Sequence, residues 1–392
     1  MRVQAEERRA LGVACGAHAL HDGYTDLIYV MLPIWQNEFG LGLGVLGLMK
    51  TVFSGTLASL QIPAGVLAER WGAPIVLAIG TALVGLGYCL AGVSGGVATL
   101  VAALFVGGAG ASTQHPLAST LIAHTFAGPR SLKALGTYNF TGDIGKMTVP
   151  AAASLLFVLL PWREVLVLLG GLGAVGAVII YVLIPRFAAK VAPRKSEASA
   201  ACSSRLSQFS FPLLLSVGVI DSATRMAFLT FLPFVLTAKG ASLPTVGLAL
   251  TLVFAGGAAG KLVCAFIGAH IGAVATVWLT EAVTALGIAA TVPLSLEGVL
   301  GLLPLIGVAL NGTSSVLYGS VPELVPPARR QRAFGIFYTG TIGAGAVSPA
   351  LYGSLGDALG VPATLFVVAA VVLLTLPITL ALRPALSAAR AS

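Results

Sequence analysis

Charge is what this chain has least of. Charged residues fill 9% of its 392 positions against 57% hydrophobic, and the mean hydropathy is +0.96. That leaves too little polar surface for a water-soluble globule. Cysteine is scarce as well. Cys15, Cys89, Cys202 and Cys264 are scattered without metal-ligand spacing, so neither a disulfide nor a metal site is expected. Catalytic signatures are missing in turn. The nearest approach to a Gly-x-x-x-x-Gly-Lys-Ser/Thr phosphate loop, Ala255 to Leu262, fails at its first glycine and its last position, and no His-Glu-x-x-His occurs. The sequence therefore implies no enzyme and no cofactor.

What is present in abundance is apolar sequence. Stretches of about 20 residues, enough to cross roughly 30 Å of hydrocarbon, recur from end to end. Twelve are read, at 11–36, 43–68, 74–94, 97–124, 134–159, 164–185, 209–237, 243–269, 273–293, 298–322, 333–356 and 362–382. Helices are the expected spanning element, because lipid leaves unpaired backbone groups unsatisfied and a barrel would show short alternating segments.

The chain also repeats itself. Pro33, Gly40, Leu43, Gly47 and Leu48 recur as Pro233, Gly240, Leu243, Gly247 and Leu248, while Ala134, Gly136 and Pro150 recur as Ala333, Gly335 and Pro349. This is a parallel duplication of one six-helix unit. The one long polar segment, 186–208, falls where the repeat restarts, so the expected organisation is a bundle over 1–185, a linker over 186–208 and a second bundle over 209–392.

A formal net charge of +8 would suit a nucleic-acid partner, but its placement argues otherwise. Arg2, Arg8, Arg9, Arg70, Arg130, Lys133, Arg186, Lys190, Arg194, Lys195, Arg205, Arg329, Arg330, Arg332, Arg383 and Arg390 fall on one side of the spans, and only Arg163 and Lys239 in the opposite loops. The positive-inside rule then puts both termini and the linker in the cytoplasm. The expected partners are the bilayer, protons and a small-molecule substrate, with no nucleic acid, and the expected state is a monomer in the cytoplasmic (inner) membrane.

Six plus six helices joined by a cytoplasmic linker resemble the major facilitator superfamily over essentially the whole chain. Gly65-Val-Leu-Ala-Glu69-Arg70-Trp71-Gly72 is similar to that family's Gly-x-x-x-Asp-Arg-x-Gly gating signature between helices two and three, with Glu69 in place of Asp and Ala73-Pro74 in place of the trailing basic pair. Within the family, His18 to Asp22, Gly108 to Pro116, and Asn139-Phe-Thr-Gly142-Asp143-Ile-Gly145 resemble the fosmidomycin-resistance group of drug exporters. The resemblance implies an all-α integral membrane fold of 12 transmembrane helices in two pseudo-symmetric six-helix bundles. It also implies proton-driven export of a small, often anionic, molecule, with helices one, four, seven and ten around a central cavity.

Ionisable side chains at membrane depth are costly, and each is a functional candidate. His18, His21, Asp22, Thr25, Asp26 and Tyr29 follow helical spacing as one polar stripe, which cannot face lipid. A carboxylate beside histidines there can take up and release protons near neutral pH. Asp22, Asp26, His21 and Asp143 are therefore the proton-coupling candidates, with a fixed buried network as the competing reading. Asn139, Asp143 and Lys146 make a second stripe, in which Asp143 and Lys146 either neutralise each other or loosen during transport. On the seventh helix Asp221 and Arg225 are i, i+4 partners, and the Arg fork suits a carboxylate or phosphonate. His18, Tyr29, His115, Asn139, Lys146, Asp221, Arg225, Lys261, Asn311 and Tyr318 form the substrate-binding candidates. His115 precedes Pro116, where the helix should bend, and a satisfied structural histidine stays an open reading. Lys50 is expected to snorkel to a membrane surface, and Glu281 has no evident partner in sequence.

Proton-coupled antiport outward is the preferred reading. Uptake of an organic anion by proton symport and a non-transporting sensor on the same scaffold are the alternatives.

Overall fold

The structure, a computed structural model, describes residues 2–126, 129–184, 207–326 and 329–391, and among them there is no strand. Fourteen helical segments follow one another: α1 (Arg2–Phe39), α2 (Leu43–Trp71), α3 (Ala73–Gly92), α4 (Val97–Ala111), α5 (Gln114–Thr125), α6 (Pro129–Leu159), α7 (Trp162–Leu183), α8 (Ser207–Ala238), α9 (Leu243–Ile271), α10 (Ala273–Ala290), α11 (Leu296–Leu324), α12 (Arg330–Leu359), α13 (Val361–Val372) and α14 (Thr375–Ala391). The expected linker, up to residue 206, and Cys202 with it, lie outside the described residues.

Twelve spans account for these fourteen segments, because two spans are broken. The bend expected at His115-Pro116 appears as an interruption between α4 and α5. Proline has no N–H to give the Ser112 carbonyl and its ring crowds that carbonyl, so the ladder opens one turn upstream. There Ser112 and Thr113 turn their hydroxyls back onto the carbonyls of Ala109 and Gly110, at 2.7 and 3.0 Å. The last span, continuous by its apolar pattern, divides at Leu373–Leu374 into α13 and α14, one turn before Pro377, for the same reason.

Ten of the spans are long and apolar enough to cross a membrane. The other two are α1, which carries the polar stripe, and the glycine-rich α12. The pattern of exposure is that of a protein whose solvent is oil. On α7, Leu168, Leu172, Val175, Val178 and Val182 are exposed, whereas His18, His21, Asp22 and Asp26 of α1 are buried.

The chain divides into two compact units. One comprises Met1–Leu41, Leu48–Ala192 and Ser242–Thr251, and the other Gly42–Gly47, Pro193–Ala241 and Leu252–Ser392. The duplication shows in the elements themselves, since α2 and α9 have bounds offset by 200 residues. The turn after each needs a glycine in the left-handed region, supplied by Gly72 at φ 88° and Gly272 at φ 87°. The two basic residues expected in the opposite loops are both committed locally. Arg163 pairs with Glu38 at 2.9 Å, and Lys239 donates to the Val292 and Leu294 carbonyls at 2.8 and 2.6 Å.

In the first unit α1 lies along α6, and small residues let the two backbones meet. A Cβ at Gly145 would run into the Ala19 carbonyl oxygen, and one at Gly142 would lie 2.6 Å from both the Asp22 carboxylate and the His18 ring. Gly136, on the same helix, would meet nothing within 4 Å. Gly145→Ala should therefore destabilise the protein by about 1–3 kcal/mol through overpacking, and Gly136→Ala should be neutral or stabilising through helix propensity. Thermal unfolding of the two variants in detergent checks this; equal melting temperatures would contradict the close α1–α6 approach.

Candidate functional site

The polar stripe of α1 converges on one carboxylate. Asp22 Oδ1 has His18 Nε2 at 3.4 Å, His115 Nε2 of α5 at 3.7 Å and His21 Nε2 at 3.8 Å, while Lys146 Nζ of α6 stands 3.4 Å from Oδ2. Four nitrogens from three helices thus surround one acid. All stand beyond the 2.7–3.2 Å of a made N–H···O bond, so none of them saturates the carboxylate. Burial divides the group. The side chains of His18 and His21 are 3% and 6% exposed, whereas those of His115 and Lys146 are 34% and 32% exposed and make an open side. Because charge facing lipid is costly, that open side suits water.

His18 is fixed on two sides. Its ring stacks on Tyr138 at 3.9 Å between centroids, and its Nδ1 lies 2.8 Å from the Tyr138 carbonyl. A carbonyl only accepts, so Nδ1 must carry the hydrogen. In the neutral ring Nε2 then has a lone pair toward Asp22, an unfavourable contact with a carboxylate. The pair is attractive only when one further proton sits on the imidazole or on the carboxyl.

His18, Asp22 and His115 each place a ligand atom within 4.8 Å of the others, a spacing a metal ion could bridge. The Lys146 ammonium on the second carboxylate oxygen disfavours an added cation there.

One turn along α1 is a second cationic contact. Lys50 of α2 does not snorkel: it is 1% exposed, its Nζ donates to the Thr25 carbonyl at 2.8 Å, and it lies 4.4 Å from the Tyr29 ring centroid. Asp26, also buried, interacts with it electrostatically. The stretch from Lys50 to either end of α2 is long for its side chain, whereas a carbonyl, an aromatic face and a carboxylate lie within reach; these outcompete the interface. Asp143 is buried on α6, and Asn139 is exposed.

In the second unit Asp221 and Arg225 interact as their spacing implies. They are joined by Glu281 of α10, for which the sequence shows no partner. Glu281 is 1% exposed, interacts with Asp221, Arg225 and the Thr313 hydroxyl, and has an Oε1 without a hydrogen-bond partner. A signal for it is present in the repeat, since its counterpart 200 residues earlier is Thr81. Tyr318 lies 3.5 Å from the Thr341 hydroxyl and feels Arg225 and Asp221; Asn311 donates to the Gly307 carbonyl at 3.4 Å. Lys261 sits half-buried on α9. In the gating signature Glu69 and Arg70 are exposed at the end of α2, Gly65 lies within that helix and Gly72 makes the turn.

Gly92-Val93-Ser94-Gly95-Gly96 is a Gly-x-Ser-x-Gly sequence, the spelling of a hydrolase elbow. It is no elbow here. It follows helix α3 instead of a strand, and the Ser94 hydroxyl donates to the Ala91 carbonyl at 2.7 Å.

The family model of the Major Facilitator Superfamily matches residues 14–217 and 214–391. The chain is 25% identical over 357 residues to the fosmidomycin resistance protein of Escherichia coli (strain K12), covering 88% of this chain and 86% of that one. It is 32% identical over 158 residues to the cephamycin export protein of Amycolatopsis lactamdurans, covering 40% of this chain and 32% of the other. Among solved structures it is similar to a point mutant of the nucleoside transporter NupG, with a TM-score of 0.78 at 13% identity, covering 95% of this chain and 99% of that chain.

The burial of Lys50 is directly testable. Lys50→Ala should cost about 1–3 kcal/mol by stranding the groups it satisfies, and Lys50 should resist an amine-reactive label in the folded protein. Labelling of Lys50 at the rate of an exposed lysine would restore the snorkelling reading.

Proposed function

This chain belongs to the Major Facilitator Superfamily, and from that premise we propose that it is a proton-coupled secondary transporter of a small polar, anionic or zwitterionic molecule. It works by alternating access in the cytoplasmic membrane, with both termini in the cytoplasm. The observation that carries this reading is the buried Asp22 carboxylate with four nitrogens around it, two of them on an open side. A purely structural network would close every side against solvent, because leaving charge half-answered inside a membrane protein is costly. Asp22, with His21, Asp26 and Asp143 nearby, carries the proton; His115 and Lys146 meet the substrate. In the second unit Asp221, Arg225 and Lys261 supply the counterpart charges.

Export by proton antiport is the first reading of direction. It is supported by the resemblance to a cephamycin export protein. Symport of an organic anion is the second. One observation favours it: Asp22 is ringed by three imidazoles and an ammonium, and each proton taken up by these groups makes the site more receptive to an anion.

The test is transport in proteoliposomes under an imposed pH gradient. Flux of a substrate should follow the gradient in the parent. Asp22→Asn should uncouple flux from it, and Asp26→Asn should weaken the coupling, each by about tenfold or more, the scale of one lost proton equilibrium. Flux indifferent to the gradient, with both variants behaving as the parent, would sink proton coupling. The absence of any flux would favour a sensor.

A further inference from the structure

The surroundings of Asp22 fix the sign with which protons and substrate act on each other. With the His21 and His115 rings neutral, the group contains the Lys146 ammonium, the Asp22 carboxylate and the His18 ring. Because His18 Nδ1 faces the Tyr138 carbonyl, the His18–Asp22 contact is attractive only with a proton held between the two residues. With that proton the group carries one net positive charge. Without it the group is neutral.

We propose that His18, His21, Asp22, His115 and Lys146 form a binding site for an oxyanion group of the transported molecule, occupied together with one proton held between His18 and Asp22. The protonated site accepts one negative charge and becomes neutral. The unprotonated site has nothing to neutralise, and an anion entering it meets the Asp22 carboxylate. Every proton added here, on the carboxyl or on any of the three rings, makes the site more receptive to an anion. Protons and anion therefore bind cooperatively, and by linkage each strengthens the other. A proton antiporter requires the opposite. This rests on the reading of the chain as a proton-coupled transporter and selects symport of an anion from its two directions.

The geometry marks a ligand site and not a closed network. His18 Nε2 and His21 Nε2 are buried and have no hydrogen-bond partner, yet both point at the one carboxylate. Three nitrogens converge on Oδ1 and one on Oδ2, none of them as close as a made hydrogen bond. The chain's own carboxylate thus stands where an external carboxylate, sulfonate or phosphonate fits.

The other groups packed around α1 leave the sign of this linkage intact. Asp26 is answered by Lys50 of α2. From α6 come Asp143 and Lys146, and α4 carries no ionisable residue. Tyr88 of α3 commits its hydroxyl to the Tyr24 carbonyl, and Tyr24 commits its own to the Leu169 carbonyl of α7. At the start of α7, Arg163 is held by Glu38. Of these, Asp143 alone opposes an anion, and its negative charge makes the proton more necessary.

Anion binding by the full chain in detergent tests this without any transport. The probes are acetate, methanesulfonate and sulfate, which keep their charge between about pH 6 and about pH 8. Binding is read by thermal shift and calorimetry. For at least one probe the parent's affinity should rise as pH falls, by up to about tenfold per unit for one proton taken up per anion. Asp22→Asn, which keeps the Lys146 charge and removes the Asp22 carboxylate, should bind at the higher pH about as tightly as the parent at the lower one, with a flattened slope. Lys146→Gln added to it should abolish that gain.

The proposal is overturned if the parent's affinity is level or falls as pH falls, or if no probe binds at the lower pH. It is also overturned if folded Asp22→Asn binds no more tightly than the parent at the higher pH. Should Asp22→Asn fail to fold, the parent's slope decides alone. Anion binding with the expected slope, in a protein that carries nothing in vesicles, would sink the transport reading and leave this one standing.

Discussion

A bilayer answers no charge, so every ionised group in this fold must be answered by another side chain or by water admitted on purpose. The contact between α1 and α6 depends on that constraint most directly. It is made where glycines remove the side chains that would hold the helices apart, and it brings Lys146 and the Tyr138 carbonyl to the stripe on α1. The carbonyl decides which nitrogen of His18 carries hydrogen, and the ammonium decides which oxygen of Asp22 is engaged. A backbone packing event thereby sets the electrostatics of the candidate site.

Duplication supplied the frame and its breaches supplied the chemistry. The glycines in the left-handed region and the bounds of α2 and α9 are shared across 200 residues. The ionisable positions are not. The first unit concentrates imidazoles around a carboxylate; the second has Asp221, Arg225 and Glu281 at places where the first has His21, Thr25 and Thr81. Two acids beside one guanidinium is a different arrangement from one acid among four nitrogens, so the two units differ in charge at positions the repeat makes equivalent.

Much of this is legible without any coordinates. Apolar runs of membrane length mark the spans, because hydrocarbon thickness sets that length whatever the family. The α1 stripe is legible because helical spacing collects His18, His21, Asp22, Asp26 and Tyr29 on one face. What spacing along a chain does not contain is which other helix that face meets. The approach of His115 and Lys146 to Asp22 depends on tertiary packing, as does the Tyr138 carbonyl on His18. Lys50 misleads for the same reason: a lone lysine in an apolar span suggests a side chain reaching for a surface, while the partners that bury it come from α1. Glu281 has a signal in the broken repeat, yet its neighbours Asp221 and Thr313 lie on helices remote in sequence.

Gly142 stands over both Asp22 and His18, and no β-carbon fits there without displacing one of them. The three positions are therefore not free to drift separately over evolutionary time. A lineage that acquires alanine or serine at 142 must move the imidazole or the carboxylate aside, and with it the spacing between the two groups. Glycine at that position, met beside histidine and aspartate four residues apart on the first helix, would act as a heritable mark of this close packing among otherwise divergent chains.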